Sequence, residues 1–238
     1  MLYVGVDGSK GGWFAVALND KHDWKVDLFP TIRELWDKYS TAELILVDIP
    51  IGLLDDSTAW RLCDLKAREL LGTRCTSVFM APCRQAFTAK THEEASYINK
   101  DITGKGLAIQ TWSIMRKIKE VDDFLAENKS ARQRILEVHP ELCFWAFNNK
   151  QPVLSKKKEE SGIQDRRKIL QSHFSKSDEI YEYAMRGFPR NKVGIDDIID
   201  ATVVAITALR YRKGLISIPE QPQVDSTGLP MKMVFTIE

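Results

Sequence analysis

Four aspartates stand where a charged group is costly to place. Asp7 and Asp48 each close an apolar run, and Asp197 and Asp200 lie one turn apart at the start of an alanine-rich apolar stretch. Carboxylates held together at buried positions repel one another, and a bound divalent cation relieves that repulsion. The four aspartates are therefore candidate ligands of a metal ion.

Each aspartate also has a purely structural interpretation. Asp7 precedes a glycine-rich turn and can bond to its own backbone there. Acidic residues in the first turn of a helix suit the helix dipole, which accounts for one or two of the late aspartates. From these residues alone both interpretations stay open.

The metal, if present, is expected to be a hard cation. The cysteines Cys63, Cys75, Cys83 and Cys143 are widely spaced, and no two are separated by two residues. This pattern is neither a zinc ligand set nor a disulfide framework, and it predicts reduced thiols in a cytoplasmic protein. Aspartate ligands without a histidine–cysteine cluster favour Mg²⁺ or Mn²⁺ over zinc.

The elements around Asp7 and Asp48 predict that the two residues meet. Residues 2–7, 13–18 and 24–29 have strand patterns with short connections, which makes them an antiparallel meander. Thr31 opens a helix with a capping box, since Glu34 lies three residues on, and residues 43–47 form a fourth strand. A strand that returns through a helix joins its neighbour in parallel. If it lies beside the first strand, both aspartates face the edge where open α/β sheets bind ligands.

A second group of candidates is cationic. Arg61, Asp64 and Arg68 share one face of a predicted helix, for which Ser57 is a candidate cap. This face is either a surface ion-pair ladder or a polar wall that presents arginines to an anionic substrate. Arg84 follows in an extended loop and could reach a phosphate. Residues 150–176 contain eight Lys or Arg against three Asp or Glu, which describes a basic wall or a solvated helix face.

The second half of the chain adds Glu137 and a buried helix. Residues 135–141 resume a strand pattern that Pro140 ends, and this places Glu137 on a candidate central strand. His139 is either a general base, a metal ligand or a satisfied structural group. Further helices are predicted over 107–125 and 194–212. The tail from Leu215 is predicted as a loop, followed by an edge strand over 231–237.

Composition narrows the function classes. Hydrophobic residues make up 44% of the 238 residues and charged residues 28%, which is typical of a globular protein. No apolar run approaches the roughly 18 residues that span a bilayer, so no membrane association is expected. A net charge of +1 argues against coating of nucleic acid by bulk electrostatics, although it allows an enzyme with a local basic wall.

The acidic positions resemble those of the RNase H-like fold, particularly of Holliday-junction resolvases, which end in an Asp-x-x-Asp-Ala helix. Over nearly its full length the chain resembles the DUF429 family of predicted RNase H-like nucleases. The segments that carry this resemblance are Gly5-Val-Asp7-Gly-Ser-Lys10-Gly-Gly-Trp13, Val47-Asp48-Ile-Pro-Ile-Gly52, Arg61-x-x-Asp64-x-x-Ala67-Arg68, Val78-Phe-x-x-Pro82-x-Arg84, Glu137-Val-His-Pro-Glu141 and Asp196-Asp-Ile-Ile-Asp200-Ala201.

The resemblance implies an α/β fold with a mixed five-stranded sheet, three strands antiparallel and two parallel, flanked by helices. It implies a single RNase H-like domain over 1–238, with a core of about 1–54 and 131–238 and a helical insertion of about 55–130.

The activity that the resemblance implies is metal-dependent hydrolysis of phosphodiesters in a nucleic acid or nucleotide. Mg²⁺ or Mn²⁺ would be held by Asp7, Asp48, Asp197 and Asp200, with Glu137 as a further catalytic carboxylate. The residues expected to contact substrate are Lys10, Arg61, Asp64, Arg68, Arg84, Lys157 and Arg166. One alternative is an actin-like ATPase or phosphotransferase, because those proteins also open with a strand, an Asp-Gly turn and a second strand. The other alternative is a non-catalytic module on the same fold that binds nucleic acid or a nucleotide.

Overall fold

The computed structural model describes residues 1–55 and 60–237, which form seven strands and eight α-helices. The strands are β1 (Leu2–Ser9), β2 (Gly12–Asn19), β3 (Trp24–Phe29), β4 (Leu44–Val47), β5 (Ile135–Glu137), β6 (Leu215–Val224) and β7 (Pro230–Thr236). The helices are α1 (Ile32–Tyr39), α2 (Leu62–Leu71), α3 (His92–Thr103), α4 (Ile109–Glu127), α5 (Pro140–Phe147), α6 (Glu160–His173), α7 (Ser177–Gly187) and α8 (Ile195–Leu209).

The main sheet has five strands in the order β3-β2-β1-β4-β5. The first three strands are antiparallel, and β4 pairs in parallel with both β1 and β5. The predicted mixed sheet is therefore confirmed. The pairing of Val6 with Val47 sets the register that matters most, because the residues after them are Asp7 and Asp48.

Side chains alternate between the two faces along each strand, so both faces of this sheet carry apolar residues. Helices pack against both faces. On one face, Tyr3 and Phe14 pack in a core with α5 and α8 residues such as Val204. On the other face, Val4 and Val6 pack in a core with residues of α1 and α4. Strands buried on both sides need continuous apolar runs, and β1 and β2 have them.

Gly5 lets α8 approach the central strand closely. A Cβ atom at Gly5 would lie 2.1 Å from the Ala205 nitrogen and 2.5 Å from the Ala201 carbonyl oxygen. Both distances are too short for any side chain, so the contact requires glycine on the strand and small residues on the helix. This contact lies beside Asp200, which precedes Ala201 in the helix.

Two predicted elements differ from the structure. The strand predicted over 135–141 ends at Glu137, because Pro140 begins α5, where its fixed φ and missing N–H are tolerated. The tail from Leu215 is not a loop, since β6 and β7 form a separate two-stranded antiparallel sheet. Pro219 and Pro222 fall in a register shift between Ile218 and Gln223, which is why they do not prevent pairing.

The helix predicted after Ser57 is present as α2, whereas Ser57 itself lies outside the described residues. None of the helices in the described ranges has the length and apolar character that crossing a bilayer requires.

Candidate functional site

A cavity of about 340 Å³ opens where β1, β4 and β5 end. Its lining combines acidic, basic and apolar side chains from α4, α5, α8, β7 and the loops around the sheet edge. The residues that line it are Asp7, Gly8, Asp48, Ile49, Pro50, Arg74, Ser77, Val78, Phe79, Ile114, Lys117, Glu137, Val138, His139, Pro140, Glu141, Lys157, Asp200 and Met233.

Asp7 and Asp48 lie side by side at this edge, as the strand order predicted. The backbone N–H of Asp48 donates to the Val6 carbonyl at 2.9 Å, which continues the parallel ladder to the last residue before the loop. Asp7 Oδ1 accepts a 2.7 Å hydrogen bond from the Gly8 N–H. The turn-capping interpretation of Asp7 is thus correct for one oxygen, while the residue also lines the cavity.

Asp200 enters the cavity from the first turns of α8 and is 3% exposed. The Lys157 ammonium donates to Asp200 Oδ2 at 3.0 Å and lies 3.8 Å from Asp196. Lys157 belongs to the basic segment before α6, so this segment supplies a counter-charge to the carboxylates.

Burial and nearby charges raise the pKa values of the three carboxylates. Burial, followed by the neighbouring charges of Asp48 and Asp200, raises the pKa of Asp7 well above its usual range. Burial and Asp200 raise the pKa of Asp48 to about 8. Burial also raises the pKa of Asp200, although Lys157 opposes that shift. Without a further cation, the group therefore retains protons near neutral pH.

Asp197 has a different position from the other three predicted ligands. Its Oδ2 accepts a 2.7 Å hydrogen bond from the Gly194 N–H, so the carboxylate caps the start of α8. It is absent from the cavity lining, although its charge contributes to the raised pKa of Asp7. The capping interpretation describes this residue in the structure.

Glu137 belongs to a second, fully buried ionic network. Arg61 donates a short hydrogen bond to Glu137 Oε2 and another to the Ile51 carbonyl at 3.2 Å. The Ile51 N–H in turn donates to Glu137 Oε2 at 2.7 Å. Arg61 Nη1 lies 3.3 Å from Asp64 Oδ1, and both residues are 1% exposed. The face that carries Arg61 and Asp64 is therefore neither a surface ladder nor a wall open to substrate.

The network clamps the loop that follows Asp48. Arg61 and Glu137 bond to both sides of the Ile51 backbone, three residues beyond Asp48. Since Glu137 also lines the cavity, the clamp joins α2 and β5 to the loop that carries a candidate ligand.

The spacing of ligand atoms distinguishes the two acidic groups. Within the described ranges, one set of three carboxylate or thiol atoms lies within 4.8 Å of one another, formed by Cys63, Asp64 and Glu137. That set does not fit a metal, because the Arg61 guanidinium lies against both of its carboxylates and would repel a metal cation. The cavity carboxylates are more widely spaced. Their oxygens are hard donors of the kind that Mg²⁺ takes, usually one or two carboxylates together with water and substrate phosphate.

The remaining predicted substrate contacts lie elsewhere. Arg84 is bound by the carboxylates of Asp55, Asp122 and Asp225. Arg166 is 1% exposed and donates to Glu141 Oε1 at 2.6 Å. Both arginines are thus already occupied by buried or half-buried carboxylates.

Arg68 donates to the Val78 carbonyl at 2.7 Å, which fixes the extended loop after α2. Lys10 is exposed on the turn between β1 and β2 and is not part of the cavity lining. Of the cations predicted to meet substrate, Lys157 is the one that the described structure brings to the cavity.

Three charged lining residues were missed by the reasoning from sequence. Lys117 on α4 donates to the Gly12 carbonyl at 2.7 Å, and burial lowers its pKa. Arg74 comes from the 3₁₀ segment Gly72–Ser77, and Glu141 from the first turn of α5. Glu141 had a signal, since it closes the segment Glu137-Val-His-Pro-Glu141. Lys117 and Arg74 carry no local pattern that separates them from surface cations.

His139 is a satisfied structural group in the described structure. Its Nδ1 accepts from the Glu141 N–H at 3.2 Å, and its Nε2 lies 3.3 Å from the Ser77 carbonyl. Burial lowers its pKa, which favours the neutral ring that this pair of contacts requires. The ring caps α5 and forms part of the cavity wall.

Comparison with known families identifies the family of this chain. The model of the family described as "Protein of unknown function (DUF429)" matches residues 5–224, so the chain belongs to the DUF429 family. No curated protein and no solved structure matches the chain.

Proposed function

We propose that this protein is a metal-dependent hydrolase of phosphodiester bonds, with Asp7, Asp48 and Asp200 as the carboxylates that hold Mg²⁺ or Mn²⁺. The observation that supports this most directly is their convergence on one cavity at the carboxyl ends of β1 and β4. Ligands bind at this edge in open α/β sheets because the loops there diverge from the strands.

The donor chemistry supports a hard divalent cation. All three groups are carboxylates. Burial raises the pKa values of Asp7 and Asp48, and the charges of neighbouring carboxylates raise them further. A bound cation removes this repulsion and, when present, supplies an activated water and stabilises the departing oxygen.

The chain's own residues have distinct roles in this proposal. The Gly8 N–H holds one carboxylate oxygen of Asp7 in place. Lys157 holds Asp200 by a hydrogen bond and adds positive charge at the cavity rim. The Arg61–Glu137 clamp fixes the loop after Asp48. A side chain held by packing and hydrogen bonds keeps a productive geometry without reorganisation in the reaction.

The test is cleavage of a labelled panel with Mn²⁺: single- and double-stranded DNA, RNA, an RNA–DNA hybrid and a four-way junction. The Asp7→Asn variant is compared with Asp123→Asn, which alters an exposed carboxylate paired to Lys119. We expect cleavage by the wild type and by Asp123→Asn, and a loss of at least about 100-fold in Asp7→Asn.

Full metal-dependent cleavage by Asp7→Asn would overturn the proposal. Silence of the wild type across the panel, with Mn²⁺ binding intact by calorimetry, would instead favour the phosphotransferase alternative. Silence without Mn²⁺ binding would favour a non-catalytic binding module.

A further inference from the structure

The cavity lining has an apolar wall as well as the carboxylates. This wall is formed by the apolar side chains of Ile49, Pro50, Val78, Phe79, Ile114 and Met233. A site that contacted only the phosphates of a polymer would need cations along this wall. The volume of about 340 Å³ is at the small end of the range for sites that hold one small molecule.

Phe79 is the exposed aromatic residue of this wall. Its side chain lies on the extended segment between α2 and the segment Arg84–Thr88, and the residue is 42% exposed. An aromatic face left open beside a cavity is a platform on which a planar ring can stack. Stacking of a base on such a side chain contributes a measurable part of the binding of single-stranded nucleic acids.

Arg74 and Glu141 provide polar groups on the same lining. Arg74 Nη2 lies 3.9 Å from Glu141 Oε1, too far for a hydrogen bond. Arg74 Nε and Glu141 Oε2 are both buried, and neither has a hydrogen-bond partner among the described residues. Glu141 is 5% exposed and is held by Arg166 through its other oxygen.

The Arg74 side chain is 23% exposed, so its guanidinium can donate to a ligand in the cavity. An N–H donor near a carboxylate acceptor complements the edges of nucleobases, which present acceptors and donors side by side. The apolar wall, the exposed ring and this donor–acceptor pair all favour the same kind of ligand.

We propose that the cavity holds one nucleobase, stacked on Phe79, with its polar edge read by Arg74 and Glu141. This inference rests on the proposed function, which places the phosphate at the aspartates. The ligand is thus a single nucleotide unit, either free or unpaired within a strand. A paired duplex does not offer an isolated base to a cavity of this size.

The experiment measures binding rather than cleavage. Nucleoside 5′-monophosphates with each of the four bases are titrated calorimetrically with Mg²⁺ present, beside ribose 5-phosphate, which lacks the base. We expect the preferred monophosphate to bind at least about 10-fold more tightly than ribose 5-phosphate. Equal affinity for all five compounds would overturn the inference.

Two variants test whether the base lies beside Phe79 and Arg74. Phe79→Ala is expected to remove most of the advantage over ribose 5-phosphate, whereas Tyr97→Ala, at a 74% exposed position on α3, retains it. Arg74→Met is expected to change the order of preference among the four bases. A purely structural role for Arg74 would leave that order unchanged, and an unchanged order in both variants would overturn the assignment.

The source of the nucleotide is a separate arm of the experiment. Oligonucleotides of about eight residues, single-stranded and fully paired, are compared with the monophosphates. Tighter binding of the single strand indicates an unpaired nucleotide of a polymer, and tighter binding of the monophosphate indicates a free nucleotide. Preference for the fully paired oligonucleotide would contradict a single-base site.

Failure of this inference is distinguishable from failure of the proposed function. Cleavage that depends on Asp7 but is unaffected by Phe79→Ala, with no base preference, leaves the hydrolase standing and removes the base site. Base-dependent binding without cleavage of any substrate keeps the base site and removes the hydrolase.

Discussion

Two acidic groups lie near the end of β4, and they differ in the cation that accompanies them. Asp64 and Glu137 are fully buried, and the Arg61 guanidinium lies between them. Asp7 and Asp48 line an open cavity, and burial together with neighbouring carboxylates raises their pKa values. Both groups combine strand-end and helix carboxylates. Burial also raises the pKa of Glu137, to about 7, but Arg61 opposes that shift as a fully buried counter-charge, whereas Lys157, the cation beside the cavity group, is partly exposed.

This difference separates structure from chemistry. A buried ion pair holds elements together, and removing one partner leaves an uncompensated charge. A carboxylate group that lacks such a partner has capacity for an external cation or a proton. Perturbed groups in a cleft are candidates for function on this physical ground.

The largest effect is expected from breaking the compensated group. Arg61→Met leaves Glu137 and Asp64 buried without their cation, and it should lower the free energy of unfolding by about 3–5 kcal/mol. Urea denaturation measures this loss. Arg33→Met is the matched control, since its exposed pair with Glu127 contributes about 0–1 kcal/mol. A loss below about 1 kcal/mol in Arg61→Met would show that the network is not the clamp described above.

The next effect concerns the packing that carries Asp200 to the cavity. Gly5→Ala should destabilise the protein by about 3 kcal/mol, because the added methyl group overlaps the α8 backbone at Ala205. It should also weaken Mn²⁺ binding, since α8 must move away from β1. Gly187→Ala is the control, as the nearest atom to an added Cβ there is Tyr183 Cε1, at 3.9 Å. Unchanged stability in Gly5→Ala would contradict the close approach.

The carboxylates that line the cavity predict a pH dependence of stability. Asp48 ionises near pH 4 when unfolded and at about 8 in the folded protein, so the folded state binds more protons between these values. Stability of the metal-free protein should therefore fall as the pH rises from about 5 to about 8, by up to about 4 kcal/mol.

Thermal unfolding in EDTA checks this prediction, with an expected decrease of up to roughly 8–16 °C in Tm. Asp48→Asn should flatten the profile, and Mn²⁺ should restore stability most strongly at the alkaline end. A profile that rises towards pH 8 in the metal-free wild type would show that the carboxylates are not raised in pKa.

The smallest effect is expected at the rim of the cavity. Lys157→Met removes the cation beside Asp200, and at pH 8 it should lower stability by about 0.5–1 kcal/mol, because the side chain is partly exposed and screened by solvent. Lys156→Met, at an exposed neighbouring pair, is the control. Urea denaturation at pH 8 compares the two. A gain of stability in Lys157→Met would mean that Lys157 does not compensate the carboxylates.

The sequence by itself determined the local elements and the sheet edge. The capping box at Thr31, the apolar runs of β1 and β2 and the short connections between strands led to the mixed sheet and to the pairing of Asp7 with Asp48. These features depend on hydrogen-bonding and side-chain periodicity within a few residues, so they can be read locally.

The tertiary structure alone decided which charged residues meet. Arg61 and Lys157 are both positively charged. Arg61 is buried between two carboxylates, whereas Lys157 lies at the cavity rim. Nothing local reveals that Arg74 and Glu141 share a cavity wall, or that Asp197 caps a helix while Asp200 faces the site. Burial and long-range pairing set these outcomes, because the energy of a charge depends on the neighbours that folding brings to it from distant parts of the chain.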